Sequence, residues 1–298
     1  MYFKSIIFFS IIILMNIKTK KNNRKKKNIK QKGGNKISLK DIRFICISLE
    51  ERDNKYSYFS KLSNQLRNMN IKLEKFSGID TRSLDTRILS LIPNLDNFIS
   101  NNKGEIGENY YTVYQDEILN RRNLGSLGCG LSHSYLYKRM VEEKMPFMFI
   151  FEEDAVIYDN FDTKLNHILS NAPKDWDLIF FGMSCAYNHD QRCHKNDNMN
   201  TPGNNLYEVK YIYGTYGYLI NLKGALKIMD NLFPIWWHLD TLLSNFVNTG
   251  LLKIYCVIPN LVFHPGKFEI SSKNYLTYTD FDSYDSAIKS KDIVINNI

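Results

Sequence analysis

The chain has 298 residues, of which 44% are hydrophobic and 13% aromatic, and this composition supplies ample material for a folded core. Its net charge of +8 is unevenly distributed, because eleven of the 39 basic residues and none of the acidic residues lie within residues 1–36. The remaining 28 basic and 31 acidic residues leave the rest of the chain near −3, which argues against a nucleic-acid-binding domain.

The N-terminal segment is first apolar and then basic. Residues 1–17 contain the run Ile6–Met15, which is shorter than the roughly 18 residues of a membrane span and is typical of a signal peptide or short signal anchor. No small-x-small cleavage motif follows it, so we expect retention and membrane association. Residues 18–40 predict a disordered basic linker. The rest of the chain lies on either the lumenal or the cytosolic side of the membrane, and both alternatives stay open.

Residues 41–272 predict a single α/β domain. Ile42–Ile47 predicts a first strand and Ile71–Phe76 a second, with an amphipathic helix between them. A strand, helix, strand series predicts a mostly parallel sheet that binds ligands at the carboxyl ends of its strands. The polar stretch 90–122 predicts a long insertion over that site, and 273–298 a C-terminal tail.

The most informative stretch is a wholly apolar strand, Phe147–Phe151, that ends in Glu152, Glu153 and Asp154. Before it, Gly125–Gly130 predicts a glycine-rich turn that leads into a helix. Adjacent carboxylates at a buried strand end cost stability unless a cation compensates them, and oxygen ligands suit Mg²⁺ or Mn²⁺. The alternative is a solvated charge cluster.

Two later segments also contribute candidate site residues. The apolar pattern of Leu239, Leu242, Leu243, Phe246 and Val247 predicts a helix with Asp240 in its first turn. Asp240 is either a helix-dipole partner or a general base. His264 follows a predicted strand at Lys253–Ile258 and is either structural or a nitrogen ligand for a metal.

Together these blocks resemble glycosyltransferase family 25, whose members include lipooligosaccharide and collagen hydroxylysine galactosyltransferases. The matching blocks, in the family's order, are Ile47–Arg52, Phe76–Asp80, Gly128–His133, Glu152–Asp154, Asp175–Asp177, Gly214–Tyr218, Pro234–Asp240 and Pro259–His264. Eight ordered blocks over residues 42–272 are more specific than any single motif. The chain departs from the family at the middle acidic position, where Glu153 replaces Asp and adds one methylene.

The resemblance implies a GT-A-type domain that transfers a hexose, usually galactose, from a UDP-sugar with inversion. It implies Mn²⁺ or Mg²⁺ held by Glu152, Asp154 and His264, and Asp240 as general base. The acceptor would be a hydroxyl of a glycan, a glycolipid or a collagen-like hydroxylysine. The residues implied to bind the donor are Ser48, Leu49, Arg52, Asp80, Ser132, His133 and Glu153, with Arg52 facing phosphate and Asp80 facing uridine or ribose.

Three further residue patterns can each be interpreted in more than one way. Cys129 and His133 have the spacing of a nucleophile and base on one helical face, but inverting transfer needs no covalent intermediate. His133 is then either a hydrogen-bond donor to the sugar or phosphate, as we expect, or a buried structural residue. The segment Cys185–His194 holds two Cys and two His, which predict a zinc site, a disulfide or, as we expect, free thiols. Trp236 and Trp237 are either sugar-stacking or core aromatics. A different class of function is a non-catalytic, membrane-tethered module that binds sugar or nucleotide.

Overall fold

The computed structural model describes residues 37–81, 124–183 and 205–264 except 234 and 236, together with the backbone of 268–270 and 276–278. The N-terminal arm, the insertion at 90–122, the segment Cys185–His194 and Trp236 lie outside the described residues. Within the described ranges, no helix has both the length and the hydropathy to cross a bilayer.

Eleven strands and six α-helices are described. The strands are β1 Ile42–Ser48, β2 Leu73–Ser77, β3 Phe147–Glu152, β4 Val156–Ile157, β5 Leu178–Gly182, β6 Leu206–Glu208, β7 Gly217–Asn221, β8 Ile254–Val257, β9 Val262–Phe263, β10 Phe268–Ile270 and β11 Leu276–Tyr278. The helices are α1 Glu50–Tyr56, α2 Tyr58–Asn68, α3 Leu124–Glu142, α4 Phe161–Asn171, α5 Leu222–Asn231 and α6 Leu239–Asn248.

Seven strands form one central sheet in the order β2-β1-β3-β7-β5-β8-β6. The neighbours β1 and β2, β1 and β3, and β5 and β8 pair in parallel, whereas β7 and β6 are antiparallel to their partners. Five of these seven described strands therefore run in one direction. The predicted α/β fold class, a mostly parallel sheet flanked by helices, is confirmed.

Each face of the sheet buries its own apolar cluster, because successive strand side chains point to opposite faces. In β3, Met148 and Ile150 pack with α3, α5 and α6, whereas Phe149 and Phe151 pack with α2 and α4. The ring centroids of Phe149 and Phe151 lie 4.4 Å apart. Full burial of each such side chain contributes about 1.5–3 kcal/mol, so the strand before the acids is firmly held.

The glycine-rich stretch was predicted as a turn, and this prediction is wrong. Residues 125–130 belong to α3, which begins at Leu124. A Cβ on Gly128 would lie 2.4 Å from the carbonyl oxygen of Ile79, so its missing side chain lets α3 approach the segment after β2. The stabilisation gained from that packing outweighs the low helix propensity of glycine.

Replacing Gly128 with Ala is expected to lower the free energy of unfolding by roughly 1–3 kcal/mol, because the backbone at Ile79 leaves no room for a methyl group. Gly125→Ala is the matched control, since no atom lies within 4 Å of its Cβ position. The control should be neutral or stabilising by up to about 1 kcal/mol. Urea denaturation of both variants measures the difference, and equal effects would contradict the close packing.

Candidate functional site

The candidate site lies along one edge of the central sheet. The carboxyl ends of β1, β2 and β3 meet there because these strands are parallel. Strand β7 runs antiparallel to β3 and pairs Gly217 with Phe151, so the residues just before β7 reach the same edge. The small sheet of β4 and β9 pairs Val156 with Phe263 and brings His264 back to the end of β3.

Asp154 lies between two basic side chains. Its Oδ2 atom is 3.0 Å from an Arg52 guanidinium nitrogen and 3.2 Å from His264 Nε2. Burial favours the neutral acid, but the hydrogen bond and charge of His264, together with Arg52, outweigh burial and lower the pKa of Asp154. Burial likewise disfavours charged His264, yet the hydrogen bond to Asp154 and its charge raise the pKa of His264.

Glu153 turns towards the end of β1. Its Oε2 accepts a hydrogen bond of 2.7 Å from the Leu49 backbone N–H, and its Oε1 lies 2.9 Å from Arg52. Burial raises the pKa of Glu153, and these two partners offset only part of that effect. Leu49, Arg52 and Glu153, all predicted to bind the donor, therefore contact one another, and Ser48 lies buried beside them at the end of β1.

Glu152 is surrounded by donors from other elements. Thr215 donates a short hydrogen bond to its Oε1, and the Cys129 thiol donates to the same atom over 3.8 Å. His133 Nε2 lies 3.6 Å from that oxygen. The side chain of Glu152 is 24% exposed, so it retains access to the edge of the sheet.

A buried polar chain continues behind His133. Its Nδ1 lies 2.6 Å from the Tyr218 hydroxyl, which is also hydrogen bonded to the Tyr137 hydroxyl. All three side chains are fully buried. Burial is the main cause that raises the pKa of both tyrosines well above the usual value, so both hydroxyls keep their protons.

Asp240 lies in the first turn of α6, as predicted. Its Oδ2 accepts from the Gly214 backbone N–H at 2.9 Å, and its Oδ1 accepts from the Thr241 N–H at 2.7 Å. The residue before α6, His238, contacts Ser126 of α3 through a hydrogen bond of 2.5 Å. These contacts fix the carboxylate relative to α3 and to the segment before β7.

Residues 214–216 connect the acidic strand end with Asp240. Gly214 contacts Asp240, Thr215 contacts Glu152, and the Tyr216 carbonyl accepts the Glu152 backbone N–H at 3.1 Å. The Tyr216 ring centroid lies 4.9 Å from that of His264. Burial, followed by the charges of Glu152 and Asp240, raises the pKa of Cys129, so both acids act on one half-buried thiol.

The two remaining donor candidates lie where β2 ends. Ser132, on α3, accepts a hydrogen bond of 2.8 Å from the Ile79 backbone N–H and donates one to Gly128. Asp80 follows Ile79 and is half-buried. Ser132 thus ties α3 to the end of β2, which places Asp80 at the same edge as the acids.

The donor atoms at this edge fit a hard divalent cation. Mn²⁺ binds both carboxylate oxygen and imidazole nitrogen, whereas Mg²⁺ prefers carboxylate oxygen. Among the described residues of this edge, Glu153 and Asp154 contact Arg52, and Asp154 also contacts His264. Glu152 and Asp240 add two further carboxylates, which accept hydrogen bonds from Thr215 and from the Gly214 backbone. This excess of negative charge favours a cation. Among the described residues, the three ligand atoms that lie within 4.8 Å of one another belong to a different set, Cys129, His133 and Glu152.

The sequence pattern of glycosyltransferase family 25 (LPS biosynthesis protein) matches residues 41–243. The chain belongs to glycosyltransferase family 25. The match covers well over half of this chain and ends after Asp240, so it includes the acidic strand end and the residues before β7. The resemblance drawn from the ordered motifs is thereby confirmed.

Named relatives agree with this assignment. A "Glycosyltransferase 25 family member" of Drosophila melanogaster is 27% identical over 214 residues, which are 69% of this chain and 31% of that protein. The corresponding Aedes aegypti protein is 26% identical over 211 residues, 68% and 31% of the two chains. A "Procollagen galactosyltransferase 1-A" of Xenopus laevis is 33% identical over 131 residues, 42% and 20% of the two chains.

This family 25 chain spans less than a third of the length of the insect relatives. Among solved structures, a glycosyltransferase involved in glycosylation of the major capsid of PBCV-1 covers 83% of this chain and 98% of its own. Its TM-score is 0.39 at 6% identity, a level that does not by itself establish a shared fold.

Sequence reasoning missed Thr215 and Tyr218 as parts of the site. Both stand in the block Gly214–Tyr218 that carried the family resemblance, and that block was the available signal. Their roles depend on β7 running antiparallel beside β3, because this direction places Thr215 against Glu152. No local pattern in the sequence of this family 25 chain indicates that strand direction.

The ion pair of Asp154 and His264 predicts a specific pH dependence of stability. Because the pKa of His264 is raised in the folded state, its contribution is full below the unfolded value and is lost as pH rises through the folded value. His264→Gln should therefore lower the free energy of unfolding more at pH 6 than at pH 8.5, measured with chelator present.

A double-mutant cycle is the control for that measurement. In an Asp154→Asn background, the cost of His264→Gln should no longer be larger at pH 6 than at pH 8.5, because the charged partner that raises the pKa of His264 is gone. A cost that is equal at both pH values in the wild-type background would contradict the ion pair.

Proposed function

We propose that this chain catalyses the metal-dependent transfer of a hexose from a UDP-sugar to a hydroxyl group, with inversion at the anomeric carbon. The observation that carries the proposal is that the segment 214–216 contacts both Glu152 and Asp240, at the sheet edge where Asp154 pairs with Arg52 and His264. Membership of family 25 supports glycosyl transfer as the reaction class. The ends of parallel strands are also where α/β sheets bind nucleotides.

Glu152, Asp154 and His264 would hold the divalent cation, Mn²⁺ or Mg²⁺. When bound, such an ion supplies positive charge that binds the diphosphate and stabilises UDP as a leaving group. Arg52, whose side chain is 40% exposed, is already placed beside two of the acids and adds a second positive charge for phosphate. Ser48, Leu49, Asp80, Ser132, His133 and Glu153 line or support the remaining donor site.

Asp240 would act as the general base. Inverting transfer requires a group that accepts the proton of the acceptor hydroxyl while its oxygen attacks the anomeric carbon and the bond to UDP breaks. The Gly214 and Thr241 N–H groups hold the two Asp240 oxygens from the backbone. The carboxylate thus remains oriented without depending on a mobile side chain.

Galactose is the proposed donor sugar, because Xenopus laevis and Homo sapiens relatives are named procollagen galactosyltransferases. The acceptor hydroxyl belongs to a glycan, a glycolipid or a collagen-like hydroxylysine. Residues 1–17 would attach the enzyme to a membrane.

Chelation tests the role of the cation. With UDP-galactose as donor, UDP release should be lost on adding chelator and restored by Mn²⁺, because the diphosphate charge is otherwise uncompensated. Asp154→Asn should abolish Mn²⁺-dependent release, whereas Asp175→Asn, an exposed acid just before β5 at the opposite edge, should leave it unchanged. Release that is insensitive to both chelator and Asp154→Asn would contradict a metal-dependent enzyme.

Replacing Asp240 with Asn tests the general base, since the amide oxygen still accepts from Gly214 but takes no proton. We expect kcat to fall by about 10²- to 10⁴-fold with little change in KM for the donor. Proton NMR of the wild-type product should show the anomeric configuration opposite to that of the donor. Nucleotide binding without turnover, across a panel of glycan and hydroxylysine peptide acceptors, would instead indicate a non-catalytic binding module.

A further inference from the structure

The buried side of Glu152 holds an unsatisfied polar atom. His133 is fully buried, and its Nε2 has no hydrogen-bond partner within the described structure, although Glu152 Oε1 lies only 3.6 Å away. Its other nitrogen is firmly engaged, because Nδ1 lies 2.6 Å from the Tyr218 hydroxyl. An unpaired buried atom aimed at a site carboxylate therefore needs a physical explanation.

A neutral imidazole has two tautomers, and the direction of the hydroxyl chain beside His133 distinguishes them. If Tyr137 donates to Tyr218, then Tyr218 donates to Nδ1, and the ring proton must lie on Nε2, facing Glu152. If the chain runs the other way, Nδ1 carries the proton, and Nε2 presents a lone pair to a carboxylate oxygen. Two facing lone pairs repel each other, so the geometry favours the proton on Nε2.

We infer that His133 is a positioning residue: Tyr137 and Tyr218 hold it as the Nε2–H tautomer, and it directs a third donor at Glu152 Oε1. The inference rests on the proposed function, in which Glu152 binds the cation. The Thr215 hydroxyl and the Cys129 thiol already donate to that same oxygen. Convergence of three donors on Oε1 leaves Oε2 for the cation and fixes the direction in which it points.

An alternative role for His133 is to bind a metal directly through Nε2. The tautomer of His133 distinguishes this role from the positioning role. Cys129, His133 and Glu152 have ligand atoms within 4.8 Å of one another, so a thiophilic metal is a geometric alternative. A metal at His133 Nε2 requires a lone pair there, and the proton would then lie on Nδ1 and be donated to Tyr218. The arrangement of Thr215 and Cys129 as donors to one carboxylate oxygen favours the positioning role.

The direct test is ¹⁵N NMR of the chelator-treated full chain with labelled histidine, in which His133→Gln identifies the signals of His133. We expect the Nε2–H pattern in the wild type. In Tyr218→Phe the hydroxyl that donates to Nδ1 is gone, so the Nδ1 signal should shift away from its hydrogen-bonded position. Tyr255→Phe is the matched control, because Tyr255 is equally buried and its hydroxyl donates to Asp175 at 3.2 Å.

A second measurement separates positioning from mere stability. Tyr218→Phe should weaken Mn²⁺ binding by about tenfold in calorimetry, the lower end of effects seen when a partner of a metal ligand is removed. Tyr255→Phe should leave Mn²⁺ affinity unchanged. An Nδ1–H pattern in the wild type, or an unchanged Mn²⁺ affinity in Tyr218→Phe, would overturn the inference while leaving the proposed function intact.

Failure of the proposed function gives a different result. If the wild type shows the Nε2–H pattern but binds no Mn²⁺, the cation site and the positioning role both fail, and the tautomer assignment alone survives. Addition of Co²⁺ completes the test. A sulfur-to-cobalt absorption band that is lost in Cys129→Ser would show that the three-residue group itself binds metal, which also overturns the inference.

Discussion

The structure depends on how three adjacent carboxylates are stabilised at the end of a buried strand. Removing such charges from water is costly unless each finds a partner, and two of the three share Arg52. Asp154 lies between Arg52 and His264, Glu153 accepts a backbone N–H and contacts Arg52, and Glu152 accepts from Thr215 and Cys129. These partners come from segments far apart in sequence, so the acidic strand end organises the site as well as the sheet edge.

The topology explains why those partners are within reach. Parallel strands collect their carboxyl ends at one edge, and the antiparallel β7 adds its amino end to the same edge. The segment 214–216 therefore contacts both Glu152 and Asp240, which joins the acidic strand end to the proposed base. The short β4 and β9 pair returns His264 to Asp154. These contacts place Glu152, Asp154 and Asp240 along the same edge of the sheet.

Family 25 membership gives the reaction class. The contacts of Glu153 explain how the chain accommodates its departure from the family's acidic motif. The middle carboxylate, Glu153 in place of Asp, contacts Leu49 and Arg52 at the end of β1. Its extra methylene therefore changes the reach of a side chain that holds β1 against β3. The outer two acids, Glu152 and Asp154, retain contacts with the segment before β7 and with His264.

The sequence by itself determined the elements whose signals are local: the apolar strand before the acids, the α6 helix with Asp240 in its first turn, and the order of the motifs. These follow from periodicity and composition within short windows. Only the tertiary structure decided that residues 125–130 are helical and that Arg52 and His264 share Asp154. It also decided that Thr215 donates to Glu152 and that Tyr218 and Tyr137 form a buried chain with His133. Those outcomes depend on strand direction and close packing between distant segments, which no local sequence window encodes.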